Sequence, residues 1–401
     1  MSSTRSPYQL SDLFTERTRT LIPPLFGAAT AEAPETISLE YGLADPTCFP
    51  RDELLAATAT VLEEHIESLN YAPVSADLVA QIIARLQAQG IAAERDTVLV
   101  GYGSSQILGL LPHLLIEPGD VVLIEGPSFL GAVHQFATVG ARLVTVPTDA
   151  AGMDVAALET ILMNLQHEGI RPRFVYTIPT FHNPTGATLS LERRKKLVAL
   201  GAAYGVLIVE DDAYVDLRFE GAPLPSLAAL DNEGWVIRVG TFSKILAPGL
   251  RVGWVHAHPD IRGRLAMLKA EGSTGSFLTQ LVARYCADGR LERHIDSLNA
   301  HYRHKRDAML AAIAREFPDD VQVTRPSGGF FVWCKLPPDI SATRLLPYAR
   351  ARGVTFLPGT SCFADGQGDN AMRLAFSYQP VEQIATGITL LGAAMRDLRA
   401  K

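Results

Sequence analysis

Seven short runs rich in β-branched residues recur between residues 98 and 257, and they constrain the fold more than any other feature of the chain. They cover residues 98–102, 121–125, 142–146, 174–178, 207–210, 236–239 and 252–256, with glycine or proline near most of their ends. Runs that are apolar throughout, rather than alternating, read as strands buried on both faces. Parallel neighbours need crossovers of a dozen residues or more, usually helical. Residues 191–204 have the look of such a crossover, with leucines and alanines at helical spacing against Glu, Arg and Lys. The pattern predicts an α/β body of three layers, a largely parallel sheet covered by helices.

The character changes near Arg290. A charged helix-like stretch runs to Glu316, residues 329–336 read as a strand, and a last strand at 372–376 precedes a closing helix. This predicts a second, smaller α+β domain. The expected division is an N-terminal arm and part of the small domain over 1–48, a large domain over 49–288, and the C-terminal small domain over 289–401. A stretch dense in proline and alanine at 22–34 reads as an arm or linker. With 401 residues, 47% of them hydrophobic, the chain has the volume to bury a deep site.

Composition excludes some partners. Lys and Arg number 36 against 43 Asp and Glu, a formal charge of -7, and no basic block suited to a phosphate backbone is present, which argues against nucleic acid. Cys48, Cys286, Cys334 and Cys362 are far apart and form no Cys-x-x-Cys pair, so neither a disulfide framework nor a metal site is expected. The N-terminus lacks the basic-then-apolar order of a secretory signal, and no apolar run approaches the roughly 18 residues that span a bilayer. The expectation is a cytoplasmic protein with no membrane partner.

In open parallel sheets ligands sit at the carboxyl ends of the strands, and four segments there carry chemistry. Gly240-Thr241-Phe242-Ser243-Lys244 ends a run and offers two hydroxyls and a lysine, with Arg251 seven positions on. A lysine amine is a nucleophile only if it loses its proton near neutral pH, which desolvation or neighbouring positive charge provides. The alternative, a solvated surface lysine, is poorly matched to the flank Ile245-Leu246-Ala247. Glu210-Asp211-Asp212-Ala213-Tyr214 ends the run at 207–210; one carboxylate there suits a protonated ring nitrogen, and a carboxylate cluster capping a loop is the alternative. Asn183-Pro184-Thr185-Gly186 is either a plain turn or one whose Asn183 donates to a ligand hydroxyl. Gly101-Tyr102-Gly103-Ser104-Ser105 is a glycine-broken strand end opening a helix, whose free N–H groups suit a phosphate. It lacks the third glycine of the dinucleotide fingerprint.

The segment from Thr241 through Lys244, Ala247-Pro248-Gly249 and Arg251 to Trp254 resembles the cofactor-lysine signature of the class I/II pyridoxal-5'-phosphate (PLP) aminotransferases, and is close to that of their 2-aminoadipate/kynurenine branch. Asn183-Pro184-Thr185-Gly186, Glu210-Asp211-Asp212-x-Tyr214 and Ala371-Met372-Arg373-Leu374 are similar to other blocks of that family, and the resemblance runs from Ile37 to the last helix. It implies the PLP-dependent transferase fold type I, PLP as cofactor, and amino-group exchange between an L-amino acid and a 2-oxo acid, 2-oxoglutarate or pyruvate. Position by position, it implies that Lys244 carries the cofactor as a Schiff base and shuttles the proton. Asp211 would bind the pyridine nitrogen, Tyr214 and Asn183 the ring hydroxyl, and Phe129 would stack on the ring unless it is an ordinary core phenylalanine. Ser104, Ser105, Thr241, Ser243 and Arg251 would hold the phosphate. Arg373 would grip the substrate α-carboxylate, with Asn183, Tyr41 and Gly42 beside it. Tyr71 resembles the tyrosine that reaches the phosphate of a neighbouring subunit, which implies a homodimer with shared sites; a buried turn tyrosine is the alternative.

Two segments depart from the family. Residues 71–79 lack the glycine and arginine usual there, and Leu39-Glu40-Tyr41-Gly42-Leu43 puts an acid and an aromatic where small residues are usual. Tyr41 is expected to narrow the pocket and Glu40 to favour a basic or polar substrate end, unless Glu40 faces solvent. The same ring chemistry serves a lyase or an oxidase, which stay open as alternatives. A non-catalytic ligand sensor, fused behind a DNA-binding domain in some bacterial regulators, is disfavoured by the short stretch ahead of the matching region and the lack of a basic recognition helix.

Overall fold

All seven apolar runs are strands in the computed structural model of the protein, which describes residues 10–15, 36–269 and 272–400. The stretch at 22–34, read as an arm or linker, lies outside the described residues. Numbered from the two-residue β1 (Ile37–Ser38), the runs are β2 (Val98–Tyr102), β3 (Val121–Gly126), β4 (Arg142–Asp149), β6 (Phe174–Thr177), β7 (Leu207–Asp211), β8 (Val236–Thr241) and β9 (Val252–His256), with β5 (Gly152–Met153) turning back on β4. Their order in the sheet is β2-β9-β8-β7-β6-β3-β4-β5. β4, β3, β6, β7 and β8 are parallel to one another, whereas β9 runs against both β2 and β8. The reversal matters for the site, because it brings the beginning of β9 to the edge where the parallel strands end.

Successive side chains of a strand point to opposite faces, and the apolar runs feed two cores accordingly. Val121 and Leu123 join Leu158, Leu162 and Leu197 on one face, while Val122 and Ile124 join Leu111, Phe136 and Val209 on the other. Each such side chain contributes roughly 1.5–3 kcal/mol by leaving water, so a one-residue slip of register would forfeit both layers at once.

The covering helices, in chain order, are α1 (Arg51–Glu64), α2 (Ala76–Ala88), α3 (Gly103–Leu115), α4 (Leu130–Thr138), α5 (Val155–His167), α6 (Leu191–Tyr204), α7 (Leu227–Leu230), α8 (Pro259–Leu268) and α9 (Ser276–Cys286). Helix α6 occupies the span read from its periodicity because its ends are chemically marked. Ser190 Oγ accepts from the Arg193 N–H at 3.3 Å, and Gly205 closes the helix at φ 61°.

Helix α10 (Arg290–Glu316) leads into a second sheet, made of β10 (Gln322–Val323), β11 (Phe331–Lys335), β13 (Leu357–Pro358) and β14 (Ala371–Ala375) in the order β10-β11-β14-β13, all antiparallel. Helices α11 (Ala342–Ala351) and α12 (Val381–Arg399) accompany it, and β12 (Val354–Thr355) pairs in parallel with β1. That pairing ties the entrance segment at 39–45 to the C-terminal unit. A buried cation reinforces it: Lys305 Nζ donates to Asp45 Oδ2 at 2.5 Å and to the Ser377 carbonyl at 2.7 Å.

Candidate active site

Four loops at the carboxyl edge of the large sheet and β14 of the small one meet around Lys244. The chain turns after β8, and Lys244 Nζ donates to the Gly42 carbonyl at 3.1 Å while lying 5.9 Å from the Tyr214 ring centre and 5.7 Å from that of Phe330. Burial lowers its titration point to about 8, Arg373 and Arg251 push the same way, and Asp211 opposes them. Lys244 is half-buried with its amine bonded to the Gly42 carbonyl between two aromatic rings, so the alternative of a solvated surface lysine is set aside. Gly42 is needed here, since a Cβ on it would stand 2.3 Å from the Phe331 ring.

The two adjacent acids separate by strand alternation. Asp211, the last residue of β7, accepts from the Tyr176 hydroxyl at Oδ2 (2.7 Å), while its buried Oδ1 has no hydrogen-bond partner. Asp212 turns to the other side and pairs with buried Arg238 at 2.8 Å. Burial raises the Asp211 carboxyl to about 6, against the opposing pull of Tyr176 and Lys244. Tyr214 packs edge-on against Phe330 and Phe331, with ring centres 5.4 and 5.8 Å away, and burial pushes its phenol up.

Arg373 projects from β14 over the Phe331 ring at 4.3 Å. Its Nη1 donates to Asn183 Oδ1 at 2.8 Å and its Nη2 to the Glu40 carbonyl at 2.6 Å, while its buried Nε has no partner. With Asn183 Oδ1 engaged, the amide nitrogen of Asn183 is left to donate. Glu40 does not face solvent: it is 9% exposed and accepts from Thr355 Oγ1 at 3.4 Å. Tyr41 is half-buried beside it.

The anion-binding end is built from backbone. Gly103 opens α3 at φ +72°, and β9 passes so close that a Cβ on Gly253 would lie 2.5 Å from Ser104 N. Arg251, held at φ 52°, donates from Nη2 to the Tyr102 carbonyl at 3.1 Å, which places its guanidinium beside the N-terminus of α3. Thr241 and Ser243 link through their hydroxyls at 2.9 Å on the adjoining turn. A helix N-terminus, an arginine and paired hydroxyls form a cradle for a dianion. Ser104 is half-buried and Ser105 exposed at the first turn of that helix. Phe129 is half-buried at the start of α4, packed partly against the core rather than within it.

Tyr71 stands apart. It is fully exposed, two residues beyond the exposed turn of Ile66 and Leu69, so the buried alternative does not hold. Two participants were not singled out from sequence. Tyr176 sits in a strand that reads as pure core, although a buried tyrosine hydroxyl requires a partner. Phe331 floors both Arg373 and Tyr214, and nothing in its local sequence marks it.

This geometry matches PLP chemistry, with an amine, an unpartnered buried carboxylate oxygen and a dianion cradle around one space. The family model for aminotransferase class I and II matches residues 50–388. The chain is a class I and II aminotransferase. It is 38% identical over 375 residues to aromatic-amino-acid aminotransferase 1 of Thermococcus litoralis, covering 91% of this chain and 89% of that one. It is 39% identical over 375 residues to the 2-aminoadipate transaminase of Thermus thermophilus, covering 92% of each. The α-aminoadipate aminotransferase of Thermus thermophilus, solved with N-(5'-phosphopyridoxyl)-L-leucine, superposes with a TM-score of 0.90 at 36% identity, over 98% of this chain and all of that one (100%). The aminotransferase therefore has the PLP fold type I and uses PLP, as its motifs implied, and the non-catalytic sensor reading falls away.

Proposed function

We propose that this aminotransferase takes the amino group of an L-amino acid and passes it to 2-oxoglutarate or pyruvate, at the site centred on Lys244. The observation that carries the reading is the convergence of three groups with three different tasks: the Lys244 amine, the free Oδ1 of Asp211 and the guanidinium of Arg373. When bound, PLP supplies an electron sink for negative charge at the substrate α-carbon. Lys244 would hold the cofactor covalently and then, as a neutral amine, move the proton between the α-carbon and the cofactor carbon. Asp211 would keep the ring nitrogen protonated, and Tyr214 with the Asn183 amide would donate to the ring hydroxyl. Ser104, Ser105, Thr241, Ser243 and Arg251 would hold the phosphate and Phe129 would cover the ring face. Arg373, steered by Asn183 and the Glu40 carbonyl, would orient the α-carboxylate, with Tyr41 and Gly42 shaping the pocket beside it.

The reading includes a homodimer in which Tyr71 completes the partner's phosphate site. Its support is the exposed apolar row of Leu55, Leu62, Ile66, Leu69 and Tyr71, an unusual surface for a lone chain. It also includes the domain division at 48/49 and 288/289 and a cytoplasmic setting, where four unpaired cysteines are stable. The test is a single turnover of the PLP-loaded protein with aromatic, 2-aminoadipate, basic and acidic donors. Loss of the visible band with one donor class, its return with a 2-oxo acid and equimolar new amino acid are expected. Ammonia or peroxide in place of a new amino acid would make the enzyme a lyase or an oxidase.

A further inference from the structure

We propose that Tyr176 is a positioning residue for the cofactor's ring nitrogen, fixing which oxygen of Asp211 meets it and keeping the shared proton on the ring. The inference rests on the reading of Asp211 given above and extends it by one shell.

Tyr176 lies on β6, paired in register with Val209 of β7, two residues before Asp211. Its ring is fully buried and locked edge-on by Phe136, with centres 5.4 Å apart. The phenol donates to Asp211 Oδ2 at 2.7 Å. Two consequences follow from that one bond. Oδ2 is occupied, so Oδ1, buried and without a partner, is the oxygen left to meet a ligand N–H. The bond also stabilises the carboxylate in a place where burial alone favours the neutral acid. The buried guanidinium of Arg238 is spent on the neighbouring Asp212 and does not compensate. If the phenol is removed, the proton between Asp211 and the ring moves toward Asp211. The ring nitrogen becomes neutral and draws charge from the α-carbon less well.

The experiment uses PLP labelled with 15N at the ring nitrogen, bound to the wild type, to Tyr176→Phe and to Asp211→Asn, and followed by its 15N chemical shift from about pH 6 to 9. The wild type is expected to show a protonated ring nitrogen throughout, and Asp211→Asn an unprotonated one. Tyr176→Phe should lose the ring proton within the window, with kcat reduced about tenfold or more, the scale of one hydrogen bond to a charged group, and KM changed little. A purely structural role would lower the melting temperature of the apoprotein and leave the 15N signal where it was. If Tyr176→Phe does not fold, 3-fluorotyrosine at position 176, a stronger donor, should hold the ring proton to higher pH than the natural residue. A signal that superimposes on the wild type in whichever variant folds overturns the proposal, as does an unprotonated ring nitrogen in the wild type. Failure of the wild type to take up PLP at Lys244 would instead overturn the functional reading beneath it.

Discussion

Desolvation, with Arg373 and Arg251 facing it, lowers the amine of Lys244 from its ordinary 10.5 to about 8. At pH 7 about one amine in ten is then neutral, against fewer than one in a thousand at the ordinary value, a gain of roughly 300-fold in the reactive form. The rate at which apoprotein combines with PLP, followed by the growth of the visible band, should therefore rise with pH and level off once it passes about 8. Arg373→Gln removes the like charge with the larger effect of the two. Its midpoint should move upward, because a lost positive neighbour favours the ammonium, and its rate at pH 7 should fall. Arg251→Gln should shift the midpoint less, since its charge ranks behind that of Arg373. A wild-type rate that keeps climbing beyond pH 10, or a midpoint that falls in Arg373→Gln, would refute the electrostatic argument. Substrate turnover gives a second readout on the same variant. Loss of two charge-assisted bonds to a carboxylate should cost on the order of 3–6 kcal/mol in kcat/KM.

Burial raises the Asp45 carboxyl, but bonds from Lys305, Thr47 and His301 overcome that and hold it at about 2. A depressed carboxylate contributes stability that is complete above its unfolded value and is lost as pH falls through the folded one. Lys305→Met should thus lose roughly 3–5 kcal/mol at pH 7, and its difference from the wild type in urea unfolding should shrink as pH falls from about 4 to 2. Leu69→Asp, in the exposed apolar row, should convert the sedimenting species from dimer to monomer and weaken PLP binding with it. A monomeric wild type at full activity would remove the role given to Tyr71.

The large sheet was legible because its strands are largely apolar on both faces, and β2 ends at Gly103 while β9 begins just after Arg251, both at positive φ. The two-residue strands β1, β5, β10, β12 and β13 were not, since each is too short to show a pattern and exists only through its partner, next door for β5 on β4 and far along the chain for Ile37 on Val354. Lys244 and Arg251 were readable from chemistry and spacing, whereas Arg373 came only from the family resemblance. The choice of Asp211 over Asp212 needed the motif, and the structure supplies its physical reason, the alternation that sends Asp212 to Arg238. Glu40 illustrates the limit. An acid beside a tyrosine gives no local sign of burial, and its fate depends on Thr355, far along the chain. Tyr71 shows the same limit from the other side, because the role proposed for this exposed tyrosine depends on a second subunit.

The central claim is that Lys244 is the residue bonded to PLP. Borohydride reduction of the PLP-loaded protein, followed by proteolysis and mass spectrometry, tests it directly. One phosphopyridoxyl-bearing peptide containing Lys244 is expected, absent in Lys244→Ala together with amino transfer. Label on another lysine, such as Lys269 or Lys305, or turnover that survives in Lys244→Ala, would contradict the account.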